Sequence, residues 1–182
     1  MALAEGENAE VIRGVLVTAP ALLPRHSSVR GRLRRLIGGA FDDDDGAGGP
    51  GGWWIFLEVD VRLSPHDIVR PDIAGWRRQR LPEPWDMRPI DVVPDWICEI
   101  ISTSNAGRDR VTKRELYAKH GVLHYWIADP VARTLETLRL DPEAGHWVDA
   151  GAFDASGRAR IAPFTAIEID LSRVFPPAAT DG

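Results

Sequence analysis

The chain has 182 residues, of which 44% are hydrophobic, and this length fits one domain with its own core better than two. Its formal net charge of −5 argues against a protein that coats nucleic acid by bulk charge, although an enzyme could contact DNA through a local basic patch. No apolar run approaches the roughly 20 residues that span a bilayer, the N-terminus lacks the pattern of a secretory signal, and a single cysteine, Cys98, excludes an internal disulfide, so we expect a cytoplasmic protein.

The first predicted elements are an extended piece and a helix. Within the proline-containing segment 1–25, residues 11–18 could form a short extended piece. Residues 27–38 are predicted to form a helix that begins at a capping serine and ends at two glycines. The stretch 41–52 is rich in aspartate and glycine and predicts a solvated loop. The apolar positions that share one helical face are Val29, Leu33, Leu36 and Ile37.

Three strands are predicted in the centre of the chain. Residues 53–63 alternate between apolar and polar, and residues 68–74 resemble an antiparallel partner for them. Four prolines in 77–94 predict a loop. The run WICEII at 96–101 is apolar except for Glu99, which is typical of a strand buried on both faces.

The remaining elements complete a mixed sheet. A helix is predicted over 110–120, followed by a buried strand at 122–128 and a hairpin partner at 133–140. Residues 146–150 and 160–175 carry weaker strand signals. This order of helices and strands predicts an α/β fold in which helices flank a mixed β-sheet.

Two carboxylates occupy unusual places in this pattern. Asp72 lies inside the second central strand, and Glu99 lies in the middle of the apolar strand. A buried carboxylate is costly without a compensating charge, and two of them on adjacent strands would repel each other. A divalent cation such as Mg²⁺ removes that penalty, because it prefers oxygen ligands. The alternative is that Glu99 is a structural acid paired with an arginine.

The helix after Glu99 carries further candidates. Lys113 is one of two lysines in the chain, and an ammonium near a metal-bound water would favour hydroxide. Asp109 and Tyr117 lie on the same helical face as Lys113, at a spacing of four residues. The alternatives are that Lys113 is an exposed helix residue, that Asp109 is a helix cap, and that Tyr117 packs in the core.

A basic cluster lies in the segment WRRQR. Arg77, Arg78 and Arg80 could contact phosphates of a nucleic acid, or they could belong to a solvated loop.

Four motifs in order resemble a known family. They are RPDI at 70–73, CEIISTSN at 98–105, DRVTKRELY at 109–117 and GVLHYWIADP at 121–130. Together they resemble the Uma-two (Uma2) family of restriction endonucleases, single-domain members of the PD-(D/E)XK nuclease superfamily. The resemblance spans Pro71 to Pro130, and its strength lies in the order and spacing of the four motifs.

The resemblance implies roles for particular residues. Asp72 and Glu99 would be catalytic metal ligands, and the backbone carbonyl of Ile100 would be a third ligand. The superfamily's usual lysine position falls on Ile101, where this sequence departs from the pattern. The resemblance places the family's lysine on the following helix, which points to Lys113.

The first central strand adds one open choice. A further acid, Glu58 or Asp60, could contribute to the site. Both residues face the same side of a strand, so the alternation of side chains does not choose between them.

The resemblance also implies fold and activity. A restriction-endonuclease-like core would occupy residues 26–176, between an N-terminal extension at 1–25 and a tail at 177–182. The implied activity is hydrolysis of DNA phosphodiester bonds with Mg²⁺ or Mn²⁺ as cofactor. The alternative is an inactive nuclease-fold module that binds DNA or another partner, since Ile101 replaces the usual lysine. DNA is the expected partner, no membrane is expected, and a homodimer is a further hypothesis, since cyclic dimers are the commonest oligomers.

Overall fold

The structure is a computed structural model that describes residues 9–18, 22–42, 49–101 and 108–177, without the side chains of 108–110. In chain order, the elements are β1 (Ala9–Ile12), β2 (Val15–Thr18), α1 (Pro24–Phe41), β3 (Trp53–Leu57), β4 (Val61–Ser64), β5 (Asp67–Val69), β6 (Ile73–Arg77), β7 (Trp96–Ile100), a π-helical turn (Arg108–Lys113), α2 (Arg114–Lys119), β8 (His124–Asp129), β9 (Thr134–Asp141), β10 (His146–Asp154), β11 (Arg158–Ala159), β12 (Ile169–Asp170) and a 3₁₀ turn (Leu171–Arg173).

The central sheet has six strands in the order β10-β9-β8-β7-β6-β3. Strands β7 and β8 are parallel, and the other neighbours in this sheet are antiparallel. A four-stranded sheet has the order β2-β1-β5-β4, and β11 pairs with β12. The predicted α/β fold around a mixed sheet is confirmed.

Each face of the central sheet packs against one helix. Side chains of a strand alternate between faces, so Cys98 and Ile100 pack with α1 while Ile97 and Ile101 pack with α2. Glu99 therefore points to the α2 face, among apolar side chains. This alternation buries β7 on both faces, as the sequence predicted.

Helix α1 is longer than predicted at both ends. It begins at Pro24, since proline suits the first helical turn, and no side chain caps it. It continues through Gly38 to Phe41, which is buried in the core. The prediction of a solvated loop was therefore wrong at Phe41, and residues 43–48 of that loop lie outside the described residues.

The predicted strand 53–63 is interrupted at Glu58. This residue has a φ of 49°, which is unusual for a non-glycine residue and ends β3. Strand β4 then joins the other sheet, so the prediction of one continuous strand was wrong. The predicted strand 68–74 is likewise divided into β5 and β6, and Asp72 lies in the bend between them rather than inside a strand.

The N-terminal segment contributes a hairpin to the four-stranded sheet. Strand β1 pairs with β2 along its length and with β5 through Val11 and Ile68. Residues 9–18 thus contact the rest of the protein, although the division of the chain at residue 25 stays a prediction.

Strand β10 is an edge of the central sheet and is longer than its predicted length. Its pairing with β9 shifts register between Asp149 and Gly151. Six of its nine residues are exposed and the other three are half-buried. None of the described helices combines the length and apolar character needed to cross a membrane.

Candidate active site

Three acids lie at or beside the adjoining ends of the neighbouring strands β3, β6 and β7. The pairing register aligns Leu57 with Ile73 and Ile73 with Cys98. The next residue beyond these positions is Glu58 after β3, Asp72 before β6 and Glu99 on β7. We call these three positions the acidic row, although their side chains turn to different helices: Glu58 and Asp72 contact Arg30 of α1, whereas Glu99 lies on the α2 face.

Asp72 is buried and tightly held through one carboxylate oxygen. Its Oδ2 accepts a hydrogen bond from the backbone N–H of Ile100 at 2.8 Å and lies 3.2 Å from Nε2 of His26 on α1. His26 Nδ1 is buried and has no hydrogen-bond partner among the described residues. The Nε2–H tautomer fits this geometry, because it donates to Asp72 and leaves no buried N–H without an acceptor.

Arg30 links Asp72 to Glu58. Its guanidinium NH1 lies 2.5 Å from Glu58 Oε1 and 3.7 Å from Asp72 Oδ1. Asp60 instead lies 2.7 Å from Arg70 and 3.3 Å from Arg88. The structure therefore places Glu58 beside Asp72 and turns Asp60 towards a different pair of arginines.

Glu99 is 2% exposed and meets two donors from the helical segment above it. Its Oε1 accepts hydrogen bonds from Lys113 Nζ at 2.9 Å and from the Tyr117 hydroxyl at 2.6 Å. Burial raises the pKa of Tyr117 well above its usual value, and the charge of Glu99 raises it further. Tyr117 therefore stays protonated and donates to Glu99.

Lys113 is buried and contacts a second acid. Its Nζ lies 3.0 Å from Oε1 of Glu10, which comes from β1. The same oxygen accepts a hydrogen bond from the backbone N–H of Arg70 at 2.9 Å. Glu10 was not among the predicted site residues, although one charged residue within the apolar strand AEVI could have indicated a buried acid.

The strand residues after Glu99 have distinct surroundings. Ile101, at the usual lysine position, is buried with Tyr117 on the α2 face. The ammonium that contacts Glu99 comes from Lys113 instead. The N–H of Ile100 points towards Asp72, and in an extended strand the carbonyl of the same residue points to the same side.

The donor chemistry of this row suits a hard cation. Carboxylates of Asp72 and Glu99 and the carbonyl of Ile100 are oxygen ligands of the kind that Mg²⁺ prefers. Within the described segments, no three histidine, cysteine, aspartate or glutamate side chains form a metal-binding group. A metal ion at this site would therefore be held by the two carboxylates, the carbonyl and water molecules, which is a common ligand set for Mg²⁺. Asp109 was predicted as a possible further site residue, but its side chain lies outside the described part of the protein.

Cys98 is adjacent to the acids but faces the α1 core. The thiol is completely buried, and burial raises its pKa well above the usual value, with the charges of Asp72 and Glu99 adding to the effect. The thiol stays protonated and is a poor nucleophile.

The predicted basic cluster lies at the other end of β6. Arg77 lies five positions after Asp72, or about 16 Å along a strand. Arg77 and Arg78 lie over the rings of Trp53 and Trp54, at 4.2 and 3.9 Å. Arg80 NH1 lies 2.8 Å from Asp95. The structure does not bring these arginines to the acidic row.

Comparisons with known proteins agree with the fold. The model of the Uma2 family, described as "Putative restriction endonuclease", matches residues 1–172. A crystal structure of "a putative nuclease belonging to DUF820 from Anabaena variabilis ATCC 29413" has a TM-score of 0.73 and 19% sequence identity. That alignment covers 92% of this chain and 89% of the other, and it shows a shared fold. No curated protein matches the sequence.

Proposed function

Because this chain belongs to the Uma2 family, we propose that it is a metal-dependent nuclease that hydrolyses phosphodiester bonds in DNA. The observation that carries the proposal is the set of contacts around β7 that involves Asp72, Glu99 and Lys113. Asp72 accepts from the backbone of Ile100, one residue beyond Glu99, and the amine of Lys113 lies 2.9 Å from Glu99.

Each residue of the site would have a distinct chemical role. Asp72, Glu99 and the Ile100 carbonyl would hold Mg²⁺ or Mn²⁺, which when bound polarises a phosphodiester oxygen and lowers the pKa of a bound water. Lys113 supplies a positive charge beside this group, where negative charge develops during hydrolysis. Tyr117 keeps Glu99 oriented through its hydroxyl hydrogen bond.

Residues on α1 support the same edge. The ring of His26 orients Asp72 through Oδ2, and Arg30 lies at the other carboxylate oxygen. Glu58 is the accessory acid that we favour over Asp60, since Glu58 and Asp72 contact the same guanidinium.

An inactive module is the competing function. The absence of a lysine at Ile101 motivates it, but the position of Lys113 beside Glu99 favours the enzyme, because the ammonium reaches the same carboxylate from the helix. A homodimer would place two such sites on one DNA duplex. Sedimentation that shows only monomer at working concentration would exclude it.

The nuclease proposal is tested with supercoiled plasmid in the presence of Mg²⁺, Mn²⁺ or a chelator. We expect metal-dependent nicking that is lost in Asp72→Asn and in Glu99→Gln. The matched control is Asp91→Asn, which removes an exposed acid paired with Arg62. Unchanged cleavage in either site variant would refute the assignment of that residue, and no cleavage by the wild type would favour the inactive module.

A further inference from the structure

We propose that Glu10, on the N-terminal hairpin, is a positioning residue of the active site. It would hold the ammonium of Lys113 and supply the negative charge that allows Glu99 to bind a divalent cation. This inference rests on the proposed metal-dependent nuclease function.

The contacts of Glu10 connect two parts of the site. One oxygen, Oε1, lies 3.0 Å from Lys113 Nζ and 2.9 Å from the backbone nitrogen of Arg70. Arg70 lies two residues before Asp72 in the bend that carries this acid. Glu10 thus contacts both the lysine on the helical segment and the backbone that leads to the first carboxylate.

Lys113 is shared between two buried acids. Glu10, Glu99 and Lys113 are 7%, 2% and 5% exposed, so solvent screens their charges weakly. A cation bound by Glu99 would compete with the lysine for the negative charge of that carboxylate. The ammonium then keeps Glu10 as its partner, whereas without Glu10 it would be buried near a second positive group.

The formal charges support this role. Asp72, Glu99 and Glu10 carry three negative charges, Lys113 carries one positive charge, and Arg30 and Glu58 cancel each other. One divalent cation makes this set neutral, but the same set without Glu10 has an excess positive charge. Buried charges are tolerated when they are balanced, so the hairpin residue completes the balance.

The experiment measures Mn²⁺ binding by calorimetry and plasmid cleavage on the full chain. We expect Glu10→Gln to weaken Mn²⁺ binding roughly 10- to 100-fold, as removal of outer partners commonly does, and to slow cleavage. In the double variant Glu10→Gln/Lys113→Met the excess charge is gone, so Mn²⁺ binding should recover while cleavage stays slow. A role in hairpin packing alone would not produce this recovery.

The matched control is Glu115→Gln. Glu115 is an exposed acid that contacts the same hairpin through Arg13 at 3.0 Å, and its loss should leave both readouts unchanged. Wild-type Mn²⁺ affinity in Glu10→Gln would overturn the inference, and so would a double variant that binds no better than the single one. A wild type that neither binds Mn²⁺ nor cleaves would instead defeat the proposed function itself.

Folding is checked by circular dichroism before either readout. If Glu10→Gln does not fold, Glu10→Asp keeps the charge and shortens the side chain. We then expect near-normal Mn²⁺ binding with slower cleavage, because the lysine is displaced. Unchanged cleavage in Glu10→Asp, or failure of both variants to fold, would assign Glu10 a purely structural role and overturn the inference.

Discussion

The ammonium of Lys113 lies 2.9 Å from the carboxylate of Glu99, although one residue precedes α2 and the other lies on β7. Replacement by methionine would leave Glu99 and Glu10 buried without this counter-charge. We expect Lys113→Met to lose about 3–5 kcal/mol of stability and to reduce cleavage at least about 100-fold. Urea denaturation and plasmid cleavage measure the two effects. Lys119→Met, an exposed substitution at the end of α2, is the control, and equal behaviour of the two variants would contradict the prediction.

The hydroxyl of Tyr117 donates to Glu99 at 2.6 Å in a fully buried setting. Tyr117→Phe removes this donor and leaves the ring packing in place. A hydrogen bond to a charged group contributes about 1.5–3 kcal/mol, so we expect a loss of that size in chemical denaturation. A variant as stable as the wild type would show that Glu99 does not depend on this bond.

His124 on β8 should make stability depend on pH. Burial lowers the pKa of His124 below its usual value of 6.5, and the charges of Arg139 and Arg77 add to this shift. The folded state therefore binds a proton less readily than the unfolded chain. Its contribution is present above the unfolded pKa and is lost as the pH falls below about 6.5. Denaturation between pH 5 and 7 should show a smaller slope in His124→Gln, and an identical slope would contradict the prediction.

Cys98 should be inert in the folded protein. Burial and two neighbouring acids keep its thiol protonated, and the thiolate is the reactive form. We expect a thiol reagent to label it only at the rate of unfolding, and fully in denaturant. Rapid labelling of the native protein at neutral pH would contradict the buried position of the side chain.

Arg80 tests whether the basic cluster contacts nucleic acid, which is one of the two interpretations that its sequence allows. Its side chain is 46% exposed, so it can reach a phosphate away from the cleavage site. We expect Arg80→Ala to weaken DNA binding uniformly across sequences and to reduce the salt slope by about one. Arg158→Ala, another exposed arginine, is the control. An unchanged salt slope would limit Arg80 to its contact with Asp95.

Local patterns explain which parts of the fold could be predicted. The central strand 96–101 was evident because a continuous apolar run predicts burial on both faces. The interruption at Glu58 was not, since a left-handed residue inside an alternating pattern leaves no clear trace in the sequence. The start of α1 was misplaced because two serines resembled caps, while Pro24 begins the helix.

The contacts of the site were predictable to different degrees. Glu99 and Lys113 lie on consecutive elements, so a helix packed on its own strand can bring them together. Glu10 lies far from both in sequence, and it reaches Lys113 because β1 pairs with β5. The row of Glu58, Asp72 and Glu99 depends on strand register, which alternation does not specify across a bend and a proline-rich loop.

The irregular pairing of β10 bears on how the protein behaves at high concentration. A long edge strand offers unpaired backbone groups to strands of neighbouring molecules. The register shift between Asp149 and Gly151 increases the twist of the edge strand β10, and Asp149 adds a charge. Both features disfavour pairing with strands of neighbouring molecules, so we expect this edge to resist aggregation.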